Sequence, residues 1–116
     1  MKVKNCTPHV LNIIDGRGEV RDIPKSGILP RVDEKKVVIE TITTEGLNFE
    51  ITASEFGEVV GLPEKEDGLL LIVSRLVAQA CADRDDLLVP GELIRDENGN
   101  VIGARGFSRV STKASR

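Results

Sequence analysis

The 116-residue chain has no tryptophan or tyrosine, only three phenylalanines and a single histidine. Few acid–base or nucleophilic constellations can be assembled from such a set, because most of them need a histidine base or a tyrosine acid. The same shortage leaves few large side chains for a core, which favours burial against further copies of the chain. Two cysteines are too few for a disulfide scaffold, and the start, Met-Lys-Val-Lys-Asn-Cys, has no apolar stretch after its lysines. Reduced thiols in a cytoplasm are therefore expected. The longest apolar run, Leu69 to Val73, falls far short of the roughly 20 residues of a membrane span. Nor is there a basic excess: 16 Lys and Arg against 19 Asp and Glu leave −3. A domain that binds nucleic acid through its phosphates is usually strongly basic, so neither nucleic acid nor membrane is an expected partner.

What the chain does have is β-branched residues. Val and Ile supply 23 positions, and such side chains favour pleated, half-buried surfaces. His9–Ile14 and Glu19–Ile23 flank a Gly-rich break and read as a hairpin. Val37–Thr43 and Leu47–Thr52 flank Thr44-Glu45-Gly46 as a second hairpin, with Leu47, Phe49 and Ile51 on one face. Ile28–Val32 and Phe56–Val60 read as short separate strands, the first demoted to an edge by Pro30. Leu69–Val73 does not alternate and reads as a strand covered on both faces. Leu93–Arg95 and Val101–Gly103 flank an Asn-Gly turn as a third hairpin. One helix is predicted, about residues 75–82, capped by Ser74 and carrying the stripe Leu76, Val77, Ala80, Cys81. The expected fold is α+β: an antiparallel, hairpin-rich sheet with one principal helix. It forms a single domain over residues 1–110, with a flexible polar tail at 111–116.

Three groupings invite chemistry. Cys6-x-x-His9 lacks the paired spacing and the four ligands of a structural zinc, and positions i and i+3 of an extended segment point to opposite faces. It reads as a buried thiol and a hydrogen-bonded histidine, with no metal or cofactor expected. Ser74 and Arg75 open a helix after a buried strand, where a hydroxyl, a guanidinium and free N–H groups suit a phosphate. The commoner reading of such a Ser74 is a plain N-cap. Arg31, Arg75, Arg84, Arg95, Arg105 and Arg109 fall at turns or element ends. Arg105-Gly106-Phe107-Ser108-Arg109 sets two guanidinia around an aromatic, a pattern able to stack a base and clamp phosphates. Its alternative is a solvated final strand, with Arg84 pairing Asp85 or Asp86. Asp85-Asp86 and Asp96-Glu97 are turn acids without metal or acid–base spacing, so no catalytic residue is expected.

Thr7-Pro8-His9, Gly61-Leu62-Pro63, Ile72-Val73-Ser74 and Arg84-Asp85-Asp86-Leu87-Leu88 resemble segments of a family of similar length found in phages and bacterial genomes. The resemblance continues through Arg95-Asp96-Glu97-Asn98-Gly99 and Gly103-Ala104-Arg105-Gly106-Phe107, so it covers most of the chain. That family is the phage anti-Thoeris sponge of the first-described type. The resemblance implies a small homo-oligomeric protein that binds a cyclic ADP-ribose isomer, or a related cyclic oligonucleotide, in pockets between protomers and sequesters it without hydrolysis. It makes Arg31, Arg105, Phe107 and Arg109 candidate contacts beside Ser74 and Arg75. It places the protein in the cytoplasm, that of the host if the gene is a phage's. Two other classes stay open: a phage structural or assembly subunit, and a small nucleotide-handling enzyme.

Overall fold

A computed structural model describes residues 1–110; the expectation for 111–116 lies outside the described residues. The elements in chain order are β1 (Lys2–Asn5), β2 (Leu11–Ile14), β3 (Val20–Ile23), β4 (Arg31–Thr44), β5 (Leu47–Val60), β6 (Leu69–Ile72), α1 (Arg75–Ala80), β7 (Leu87–Arg95) and β8 (Val101–Ser108). The protein is mostly β with one short helix. Six strands form a mixed sheet in the order β1-β6-β7-β8-β2-β3, and β4 and β5 form a separate two-stranded hairpin. A parallel bridge between Asn5 and Lys25, with the Ser26 N–H donating to the Asn5 carbonyl at 2.9 Å, brings the two sheet ends together. The result is a nearly closed, barrel-like body.

The sheet is not the antiparallel one expected, because β1 with β6, β6 with β7 and β2 with β8 run parallel. The helix is the reason for one of these pairs. A chain that leaves β6, passes through α1 and returns as β7 re-enters the sheet in its original direction. Strand β6 therefore lies between two parallel neighbours, and Leu71, Ile72 and Val73 are almost wholly buried, as their unbroken apolar run predicts. Strand β1 was not expected at all: Lys-Val-Lys-Asn is short and charged, and only its pairing with Leu69–Ile72 makes it a strand. The core gathers Cys6, Leu71, Val73, Val77, Ala78, Leu87 and Val89. Helix α1 stops at Ala80, two residues before the expected end. Asp83 to Asp86 then turn back, with Arg84 N–H donating to the Cys81 carbonyl at 2.9 Å.

Both short hairpins turn on an aspartate. The Asp15 Oδ1 accepts from the N–H groups of Arg17 and Glu19 at 2.9 and 3.1 Å. The Asp96 Oδ1 accepts from those of Asn98 and Asn100 at 2.8 and 3.0 Å. The acidic cluster 96–100 is thus a turn anchor. The segments Ile28–Val32 and Phe56–Val60 are not separate short strands. Val32 and Phe56–Val60 belong to the continuous 14-residue strands of the long hairpin. At its tip Glu45 and Gly46 both take positive φ, 52° and 78°, the signature of a type I′ turn. The hairpin extends the molecule to 54 × 40 × 31 Å, with a radius of gyration of 17.5 Å against roughly 13 Å for a compact chain of this length. No helix among the described residues is long and apolar enough to cross a membrane.

Candidate ligand-binding groove

Strands β1 and β6 are parallel neighbours, so the segments that leave their C-terminal ends emerge side by side. Those segments, Thr7–His9 and Val73–Arg75, form two walls of a groove of about 490 Å³. Leu11 and the stretch Val89–Gly91 with Leu93 complete it. Sites outside the carboxyl ends of parallel strands are a general consequence of such topology, since chain direction aligns the loops there. The volume falls within the roughly 300–1,000 Å³ of small-molecule sites.

Asn5 builds the first wall. Its side chain is fully buried and uses all its capacity. Nδ2 donates to the carbonyls of His9 at 2.7 Å and Ile23 at 3.1 Å. Oδ1 accepts from the Thr7 N–H at 3.0 Å and the Thr7 hydroxyl at 2.6 Å. This clamp turns the chain sharply after β1, with Cys6 pointing into the core and Pro8 and His9 outward. Cys6 and His9 are thereby separated, and burial pushes the Cys6 thiol above its ordinary pKa. Among the described residues no set of His, Cys, Asp and Glu stands together as a metal site.

The second wall begins where β6 ends. Val73 N–H donates to the Leu88 carbonyl at 2.9 Å, and Ser74 caps α1, its Oγ accepting from the Val77 N–H at 3.3 Å. Ser74 is thus an N-cap that also lines the groove. Arg75 is exposed beside it and forms no ion pair among the described residues. The groove thus combines the apolar residues Leu11, Val73, Val89 and Pro90 with the cation Arg75, the hydroxyl residues Thr7 and Ser74, and His9.

Of the six candidate residues, only Ser74 and Arg75 line this groove. Phe107 is half-buried and pairs across the sheet with Pro90, a groove residue, so it stands behind one wall. Arg105 lies opposite Glu92, with an Nε–Oε1 distance of 3.7 Å between two exposed side chains. Gly106, between Arg105 and Phe107, takes φ +58°, and the β7–β8 register continues through it, with Phe107 opposite Pro90 and Arg105 opposite Glu92. Arg31 opens β4 opposite Val60 at the root of the hairpin, and Arg109 follows β8. Neither belongs to the groove of this one chain. Arg84 pairs with Asp86, at 2.8 Å from Nε to Oδ1 and 2.7 Å from Nη2 to Oδ2, and Nη2 also donates to the Pro63 carbonyl at 3.1 Å. These bonds hold the Asp86 carboxyl below its ordinary pKa against the opposing effect of burial. Sequence reasoning missed Thr7, Pro8 and Leu11 as groove residues. The available signal was the polar Asn5-x-Thr7 step ahead of Pro8, which marks a side-chain-anchored turn.

No protein-family model matches the chain, and neither the curated proteins nor the solved structures give a match.

Proposed function

We propose that the protein binds a small anionic nucleotide, of the cyclic ADP-ribose or cyclic oligonucleotide class, and sequesters it without chemical change. It does so as a homo-oligomer in a cytoplasm, where the captured signal is withheld from a bacterial anti-phage defence. The observation that carries this reading is the groove itself, in which an apolar floor able to take a base or ribose meets Ser74, His9 and Arg75, which has no ion pair among the described residues. A guanidinium binds phosphate through paired, charge-assisted hydrogen bonds. Arg31, Arg105 and Arg109, placed outside the groove of their own chain, are proposed to reach ligand from the rim or from a neighbouring copy.

The test is calorimetric titration with nucleotides of this class, followed by heat release and chromatography of the recovered ligand. Arg75→Ala, Arg105→Ala and Arg109→Ala are each expected to weaken binding about ten- to hundred-fold, the loss of roughly 1.5–3 kcal/mol per charge-assisted contact. Arg17→Ala, in the Asp15 turn, serves as control. One observation favours a second reading, a structural or assembly subunit: the long β4–β5 hairpin projects from the body with both faces exposed over most of its length. A chain that binds no nucleotide yet assembles into large particles would favour that reading.

A further inference from the structure

Direct cross-strand partners share a face, so the register of β4 with β5 sorts the hairpin into two surfaces. Thr44 with Leu47, Ile42 with Phe49, Glu40 with Ile51 and Val37 with Ala53 stand on one side. Thr43 with Asn48, Thr41 with Glu50, Val38 with Thr52 and Lys36 with Ser54 stand on the other. The second side is largely polar and is laced by the Ser54 hydroxyl bond to Glu34 at 2.5 Å and the Lys36 bond to Ser54 at 2.9 Å. The first side carries Glu40 and Thr44 but is otherwise largely apolar, and it is uncovered. Ile42, Leu47, Phe49 and Ile51, with Ile39 in the bulge, are 37–62% exposed. Only the root is supported, where Val32 and Val59 pack against the core.

A two-stranded hairpin alone is marginal in water, and strands usually run 3–10 residues rather than the 14 found here. Such an arm gains stability from a partner laid over its apolar side. We propose that this partner is the same side of a second copy, the two hairpins stacking face to face about a twofold axis; this rests on the homo-oligomer reading above and assigns its surface. The area supports a second copy. The five exposed side chains offer roughly 300–400 Å² of apolar surface, about as large as the largest apolar patch of an ordinary monomer. With Val37, Ala53 and the polar margin, each arm approaches the ~800 Å² per partner of a stable interface with an apolar centre and a polar rim. A self-complementary face buries all of these rows at once, and sheets stacked about 10 Å apart interdigitate their side chains.

Sedimentation of the full chain at micromolar concentration tests this. The wild type is expected to be a dimer or a multiple of dimers, and Ile42→Glu with Phe49→Glu to be a monomer with its body fold intact by circular dichroism. Thr41→Glu, the same charge on the opposite face, is expected to leave assembly unchanged. Should the double glutamate variant fail to fold, Ile42→Thr with Phe49→Thr decides, since Thr keeps the strand preference; it is expected to weaken association at least a hundredfold. A wild type that is monomeric overturns the oligomer reading itself. An oligomer unchanged by either double variant overturns only the assignment of the hairpin face.

Discussion

Replacing Asn5 by Ala removes four side-chain hydrogen bonds from a fully buried site. A hydrogen bond contributes about 1 kcal/mol net, and a donor or acceptor left buried without a partner costs more. Part of the loss is recovered, because the Thr7 hydroxyl lies 3.1 Å from the His9 carbonyl and can turn to it. The expected cost is about 3 kcal/mol, a large share of the roughly 5–15 kcal/mol that holds a domain together. At ~4–6 °C per kcal/mol for a chain of this size, melting should fall by ~12–18 °C. Asn5→Asp separates hydrogen bonding from packing. It keeps Oδ1 but puts a carboxylate oxygen against two carbonyls, so its folded-state pKa must rise. A raised carboxyl pKa contributes stability below the unfolded value that is lost as pH climbs, so this variant should be more stable at pH 4 than at pH 7 relative to wild type. Urea titration at both pH values measures it. Loss of less than 1 kcal/mol in the Ala variant, or no pH effect in the Asp variant, would refute the claim that Asn5 clamps the groove wall.

Gly91→Ala is expected to cost about 2–3 kcal/mol in urea melts, since a Cβ there would stand 2.2 Å from the Arg105 carbonyl oxygen and the β7–β8 backbones would have to part. Glu45→Asn should stabilise the hairpin tip by up to about 1 kcal/mol, because Asn accepts the positive φ of 52° better than Glu; hydrogen exchange of the turn amides reads this. Asp86 has a lowered pKa from its Arg84 bonds, so its contribution is present above the unfolded carboxylate value near ~4 and is lost as pH falls through the lower folded value. Arg84→Ala should cost about 2–4 kcal/mol at pH 7, discounted from a fully buried pair because the Arg84 side chain is 23% exposed, and should flatten this acid dependence.

The local pieces of the fold were readable because each had its own signal. Leu69–Val73 shows burial on both faces, Ser74 shows a cap, and Asp15–Gly18 and Thr44–Gly46 show turns. Strand direction in the sheet was not readable. The hairpins all look antiparallel from within, and the parallel pairs depend on β1, whose Lys-Val-Lys-Asn has no strand signature of its own, and on the return of the chain through α1. The groove was half readable for the same reason. Ser74 and Arg75 are local to a helix start, whereas Thr7–His9 reach them only because β1 and β6 are neighbours. Arg105 and Phe107 look like a unit in sequence; in the fold Arg105 stands opposite Glu92 and Phe107 opposite Pro90, which lines the groove.

The most direct measurement is calorimetric titration of the full chain with cyclic ADP-ribose, its isomers and a cyclic trinucleotide, with chromatography of whatever is recovered after heat denaturation. Saturable binding of at least one, returned unchanged and weakened about ten- to hundred-fold by Arg75→Ala but not by Arg17→Ala, is the expected result. Absence of binding across the series, or turnover products in the recovered ligand, would contradict it.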